Sequence, residues 1–124
     1  MSRKVLIAED EPNIVASLEF LLRQSNYDVR VARDGEEALR LVASFAPHLV
    51  LLDVMMPRKS GFEVCRHIRG NPAWRNVKVM MLSAKGRDSD VNQGLALGAD
   101  AYVTKPFSTK ALLATVRELL PEDA

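Results

Sequence analysis

Five short apolar runs recur along the chain, each followed by a longer amphipathic stretch, and this alternation limits the folds open to it most sharply. The runs are Val5-Leu6-Ile7-Ala8, Val29-Arg30-Val31, Leu49-Val50-Leu51-Leu52, Val77 to Leu82 and Ala101-Tyr102-Val103. Three are nearly continuous in apolar residues, the habit of strands covered on both faces of a parallel sheet. The second alternates and reads as an edge strand. The intervening stretches have helical spacing. Ile14, Val15, Leu18, Leu21 and Leu22 form one stripe, and Leu112, Leu113, Val116, Leu119 and Leu120 repeat it near the C-terminus. Ala38, Leu39, Val42 and Ala43 follow the cap signal Asp34-Gly35. Phe62, Cys65 and Ile68 make a shorter face. Arg87–Leu97 is the weakest helix, with Val91 and Leu95 as its main apolar contacts and Gly94 interrupting it.

Five strand–helix units predict an α/β fold with a parallel sheet, right-handed crossovers and helices on both faces. For 124 residues the fitting solution is a flavodoxin-like doubly wound (βα)5 fold with a five-stranded parallel sheet of order 2-1-3-4-5. Ligands of such sheets bind beyond the carboxyl ends of the strands, where the order reverses between strands 1 and 3.

The length fits one domain over residues 1–124, with no linker, repeat or output domain in this chain. Lys plus Arg total 17 against 16 Asp plus Glu, a net charge of +1 that gives no footprint for direct nucleic-acid binding or a polybasic membrane anchor. The apolar runs are too short to span a bilayer or act as a signal peptide. Cys65 has no internal disulfide partner, which points to a reducing, cytoplasmic compartment.

The chemistry gathers at the strand ends. Strand 1 ends in Glu9-Asp10-Glu11, strand 3 in Asp53, strand 4 in Ser83-Ala84 and strand 5 in Thr104-Lys105-Pro106. Glu9, Asp10 and Asp53 brought together would repel one another unless a cation compensates. Hard carboxylate oxygens in a small site suit Mg²⁺, which takes few protein ligands and keeps several waters. With Lys105 and the Ser83 hydroxyl beside them, the groups suit a phosphoryl group. Asp53 is then the candidate nucleophile, since a carboxylate attacking phosphorus gives an acyl phosphate.

These residues carry a resemblance. The segments Val5 to Glu11, Leu51 to Pro57, Ser60-Gly61, Met81 to Ala84 and Gly98 to Phe107, in this order and spacing, resemble the CheY-like receiver domains of two-component response regulators over Lys4–Leu120. The resemblance implies that Asp53 accepts a phosphoryl group from a phosphohistidine. It implies Mg²⁺ held by Asp10, Asp53 and the Met55 backbone carbonyl, with Glu9 acting largely through water. Lys105 would pair with a phosphoryl oxygen, and the Lys105–Pro106 bond is expected to be cis. Ser83 and Tyr102 match the two switch positions, and Pro57, Ala84, Lys85 and Pro106 flank the pocket. Ser83 and Lys105 would each form a new charge-assisted bond to the phosphate, about 1.5–3 kcal/mol apiece.

The implied function is a phosphorylation-activated signalling switch, not a turnover enzyme, although it would catalyse its own phosphoryl transfer and dephosphorylation. Its donor would be a sensor histidine kinase or a histidine phosphotransfer protein, docking near Asn13, Ala16 and Ser17. Phosphorylation would change the surface of helix 4, strand 5 and helix 5, where Lys85, Val91, Tyr102 and Phe107 would meet a downstream protein target or an output domain. Met55 and Lys85 depart from the small or acidic residues common beside the site and imply slow loss of the phosphoryl group. Val91, Ala101, Ala111 and Thr115 stand where many dimerising receivers carry charges. Only Asp100 is kept, so a monomer or a weak phosphorylation-dependent dimer is expected.

Competing readings fit less well. Aspartyl phosphatases need a second Asp two positions after the nucleophile, where this chain has Met55. A flavin carrier needs a first loop hospitable to phosphate, and Glu9-Asp10-Glu11-Pro12 repels it. A phosphate-independent interaction module of the same fold is the remaining alternative, and it would not need the acidic pocket or Lys105. Cys65 reads as inert core, His48 as a loop residue, His67 as exposed and Trp74 as a packing plug in the loop Asn71–Asn76.

Overall fold

The computed structural model describes residues 3–84 and 88–121, with residues 88–91 by backbone only. The elements are β1 (Lys4–Ala8), α1 (Pro12–Gln24), β2 (Asp28–Ala32), α2 (Gly35–Phe45), β3 (Leu49–Asp53), α3 (Gly61–Gly70), a one-turn 3-10 helix (Pro72–Trp74), β4 (Lys78–Ala84), α4 (Asp88–Ala96), β5 (Ala101–Lys105) and α5 (Thr109–Leu119). The strands are parallel in the order β2-β1-β3-β4-β5, the α/β flavodoxin-like arrangement read from the sequence.

Alternate residues of each central strand serve opposite cores. Leu6, Val50, Leu52, Val79 and Met81 pack with Val42 of α2 and with Val64, Cys65 and Ile68 of α3. Val5, Ile7, Leu49, Leu51, Met80 and Leu82 pack with Leu18 and Leu22 of α1 and Leu112 and Val116 of α5. Both faces are therefore dry, which is why these runs are apolar throughout. β2 is one of the two edge strands, with β5 at the other edge, and Asp28 and Arg30 are exposed on it. Charges there discourage pairing with another chain.

Three local expectations are corrected. Ala43 is exposed, so the buried face of α2 rests on Gly35, Ala38 and Val42. Trp74 is a packing plug as expected, but in a short 3-10 turn capped by Asn71, whose Oδ1 accepts from the Ala73 N–H at 3.0 Å. α4 runs through Gly94 without a break, and Leu95 is 51% exposed rather than a core contact. The helix turns Gly94 inward, where it is buried, and Leu97 packs on the core just beyond. Lys85 and the Val91 side chain lie outside the described residues.

The loop after β3 is fixed from two sides. The Gly61 N–H donates to the Val54 carbonyl at 2.9 Å, and Ser60 and Glu63 form a reciprocal cap that starts α3. The Gly35 N–H donates to the Pro57 carbonyl at 3.3 Å, and Arg58 pairs with Asp34 at 3.6 Å. Gly61 is required because a methyl group there would collide with the Asp53 carbonyl, with the Asp53 carbonyl carbon and Val54 Cα each 2.9 Å away. These are backbone atoms at the end of β3 and cannot step aside cheaply. Gly61→Ala should lower the unfolding free energy by about 1–3 kcal/mol, the usual range for overpacking. Urea unfolding tests this, and an unchanged midpoint would contradict the close approach.

Candidate functional site

The sheet delivers four of its strand ends to one crevice. Glu9 follows β1, and its N–H still donates to Ala32 of β2 at 3.0 Å. Asp53 ends β3 in register with Leu82, and the next N–H, that of Val54, donates to the Leu82 carbonyl at 2.9 Å. Ser83 and Ala84 end β4 beside Thr104 and Lys105 of β5. The ladder thus continues up to the polar residues, and they are held by backbone rather than by loops.

Carboxylate oxygens of Glu9, Asp10 and Asp53 lie within 4.8 Å of one another. Glu9 is fully buried and Asp53 is 4% exposed, whereas Asp10 is open to solvent. Lys105 Nζ stands 2.8 Å from Glu9 Oε1 and 3.3 Å from Asp53 Oδ1. The other Glu9 oxygen accepts from the Asp10 N–H at 3.0 Å and the Glu11 N–H at 3.3 Å. Asp53 Oδ1 also accepts from the Met55 N–H at 3.2 Å. These backbone donors have no signature in the sequence; only the turn after each strand produces them.

The electrostatics are lopsided. Burial pushes the Asp53 carboxyl up, and its hydrogen bond to Glu9 and the Glu9 charge push further, to about 7. Burial acts the same way on Glu9, but hydrogen bonds to Asp53 and Lys105 together with the Lys105 charge outweigh it, so Glu9 is held below the ordinary carboxylate range. Burial works against the Lys105 ammonium, yet the two carboxylates more than compensate and raise it. One lysine thus offsets one buried carboxylate, and the second keeps a proton near neutrality. This unmet demand for positive charge, on hard oxygen donors, fits a divalent cation such as Mg²⁺.

Lys105 has carboxylate partners already, so a phosphoryl oxygen would replace an existing ion pair. Ser83 is buried at the end of β4. The Tyr102 hydroxyl is buried although its ring is only half covered. Met55 is 62% exposed at the mouth, Ala84 and Pro106 are exposed beside it, and the Lys105–Pro106 bond is cis. Pro57 is exposed and holds the loop to α2 through its carbonyl.

Residues set aside in the sequence occupy structural posts. Cys65 is buried, and burial raises its thiol further from ionisation. His67 is exposed, and His48 Nδ1 accepts from the Lys4 N–H at 2.9 Å. Asp100, read as a kept interface charge, is engaged within the chain: its Oδ2 accepts from Arg69 Nη2 at 2.6 Å and from the Val79 N–H at 2.8 Å.

The Asp53 shift has a pH consequence. The folded state holds its proton up to about 7, while the unfolded chain releases it near the ordinary 3.8. Between those values the folded state binds more protons, so stability from this group is full at lower pH and is lost as pH rises. Without divalent cation, the stability advantage of Asp53→Asn over wild type should be larger at pH 8 than at pH 4. Denaturant unfolding at both pH values checks this, and an equal difference would contradict the raised carboxyl.

Comparison with known proteins agrees with the fold. The family model for the response regulator receiver domain matches residues 5–117. The chain is similar to one from Chloroflexus aurantiacus assigned as a response regulator, with 32% identity over 98% of this chain and 100% of that one and a TM-score of 0.94. It is similar to the Vibrio cholerae chemotaxis protein CheY4, with 28% identity over 96% and 99% and a TM-score of 0.89. It also matches the beryllofluoride-activated receiver domain of DrrB, a Thermotoga maritima OmpR/PhoB homologue, with 36% identity over 98% and 100% and a TM-score of 0.87. Receiver domains are signalling switches of two-component systems that bind Mg²⁺ at an acidic pocket, and this chain has an acidic cluster of Glu9, Asp10 and Asp53 at its strand ends. The chain belongs to the response regulator receiver domain family.

Proposed function

We propose that this chain is a phosphorylation-activated switch with Asp53 as the phosphoacceptor. The placement of Asp53 carries the reading: its carboxylate ends a buried strand, against Glu9 and 3.3 Å from Lys105 Nζ. An Asp53 oxygen attacks the phosphorus of a phosphohistidine on a sensor histidine kinase or a histidine phosphotransfer protein. The P–O bond forms as the P–N bond breaks, and the imidazole leaves with that electron pair. Glu9, Asp10, Asp53 and the Met55 carbonyl are the groups that would hold Mg²⁺. Bound there, the ion supplies positive charge shared by the carboxylates and the phosphoryl oxygens. Lys105 exchanges its pairing with Asp53 for a phosphoryl oxygen. The Ser83 hydroxyl donates to another, and Tyr102 follows into the space behind it.

Shifting such a switch from 1:99 to 99:1 needs about 5.5 kcal/mol of differential affinity. A Ser83 bond to the charged group contributes about 1.5–3 kcal/mol, and Lys105, already paired, adds less. A partner that prefers the active form supplies the remainder. Two faces are suited to partners. The start of α1 exposes Asn13, Ala16 and Ser17 and, one turn on, Phe20 at 68% exposure, next to the site and open to a donor protein. On the other side, a groove of about 300 Å³ between β5 and α5 is lined by Tyr102, Phe107, Ser108, Ala111, Leu112 and Thr115. It offers a downstream target or output domain a surface that contains the switch tyrosine.

Intact mass after incubation with acetyl phosphate and Mg²⁺ tests the reading. One added phosphoryl group is expected, absent in Asp53→Asn and after chelation; modification that survives in Asp53→Asn would overturn the assignment. Met55, exposed at the mouth, shields the acyl phosphate from water. Met55→Asn should shorten the phosphoryl half-life several-fold, measured by loss of the phosphorylated mass. An unchanged half-life would remove Met55 from that role.

A further inference from the structure

We infer that the groove at the C-terminal end of α3 binds an acidic peptide segment, extended and carrying an apolar side chain beside its carboxylates. The groove has a volume of about 540 Å³ and is lined by Arg66, His67, Gly70, Asn71, Pro72 and Trp74. It stands at the edge of the sheet away from Asp53. α3 starts against the end of β3, where the Gly61 N–H donates to the Val54 carbonyl, and its 10 residues run about 15 Å back along the sheet. The Val77 N–H, just before β4 starts at Lys78, donates to the Trp74 carbonyl at 3.0 Å. A ligand seated here leaves the acidic crevice and the β5–α5 groove free, so the inference goes beyond the switch reading and does not depend on it.

The lining offers donors and no carboxylate. Arg66 and His67 are exposed at its rim. The Asn71 side-chain oxygen already accepts from the Ala73 N–H at 3.0 Å, which leaves its amide nitrogen to donate. The carbonyls of Ile68, Asn71 and Pro72 are engaged by the N–H groups of Asn71, Trp74 and Arg75. The nearby carboxylates are engaged as well. Glu63, one turn before Arg66 and His67, accepts from the Ser60 N–H at 3.4 Å in the cap of α3. Asp100 is held by Arg69 at 2.6 Å and by the Val79 N–H at 2.8 Å. Among the described residues, none pairs with Arg66 or with Arg75, which is exposed next to Trp74 in the chain. His67 and Arg69 fall in the last turn of α3, where positive charge suits the C-terminal end of a helix. Arg66 stands before that turn and Arg75 beyond the helix, so neither has that explanation. A guanidinium recognises a carboxylate through two parallel N–H bonds. Pro72 and the half-buried Trp74 supply the apolar surface beside it. Alternate side chains of an extended segment face the same way. A carboxylate and an apolar group two residues apart therefore reach Arg66 and Trp74 together. Two guanidinium groups beside a single indole make neither the basic stripe nor the row of aromatics that a nucleic acid strand uses.

The probe is a terminally blocked pentapeptide of glutamate, serine, leucine, serine and glutamate, titrated into the full chain and followed by two-dimensional amide NMR. Saturable shifts are expected at the backbone amides of residues 66–75 and at the Trp74 indole, whose signal is known at once because the chain has one tryptophan. The same peptide with glutamine in place of glutamate should leave them unmoved. Arg66→Glu and His67→Glu should each weaken binding about tenfold or more, the loss of one charge-assisted bond. Both positions are exposed, and an unchanged thermal midpoint shows that each variant is folded. The two variants together guard against a fault peculiar to one of them. The absence of saturable shifts, shifts centred on another face, equal binding of the glutamine peptide, or full affinity in both variants would overturn the inference. Displacement of the peptide by an equal concentration of a single-stranded oligonucleotide would overturn it in favour of a nucleic acid.

Discussion

Strands β1, β3 and β4 are buried on both faces and cannot carry a charged side chain along their length without stranding it in the core. Charged groups can enter only at the strand ends, as Lys4 and Lys78 do at the starts of β1 and β4. Parallel strands all stop on the same side, so a sheet built to satisfy burial also collects its carboxylates, hydroxyl and lysine in one crevice. The cost of that collection is visible in the site. Glu9 and Asp53 lie together with one lysine between them, and the charge is not balanced. A fold selected for stability alone would have no reason to keep two buried carboxylates there. The phosphoryl chemistry proposed above, with a divalent cation, would give that reason.

Much of this was legible in the residues. The apolar runs located the strands, including the edge position of the alternating run at Val29–Val31, and five strand–helix units in a chain this short pointed to the strand order. The acidic residues after strands 1 and 3, and Lys105 after strand 5, were placed correctly because strand ends are easy to locate when the strands are continuous in apolar residues. Local patterns failed where distant contacts took over. Gly94 looked like a helix breaker on propensity, but α4 continues through it and uses it to admit the Tyr102 ring. Leu95 has the spacing of a core residue, and the rotation that turns Gly94 inward leaves it exposed. Arg69 and Asp100 are 31 positions apart, and no local pattern marks two charges that far apart as partners. The resting ion pairs of Lys105 were invisible for the same reason: the sequence shows which groups converge, not how they pair before a ligand arrives.

The C-terminal end of α4 and its middle have different surroundings, and in the proposed switch this would bear on how a change at Asp53 spreads. Its C-terminal end is tied to α3 and β4 through Arg69 and Asp100. Its middle touches Tyr102, which sits on β5 next to the groove against α5. In the proposed switch, a shift of Ser83 and Tyr102 toward the phosphoryl group would change the β5–α5 groove that Tyr102 lines and would bear on α4 at Gly94, ahead of a fixed point. Coupling of this kind needs no long pathway, since one side chain borders both the helix and the exposed groove.

The account turns on Asp53 keeping a proton near neutrality because two buried carboxylates share one lysine. Calorimetric titration with Mg²⁺ at pH 6.5, in two buffers of different ionisation enthalpy, measures this directly. The account predicts binding accompanied by proton release, with the release lost in Asp53→Asn. Binding with no proton released by the wild-type protein, or equal release from the variant, would contradict it.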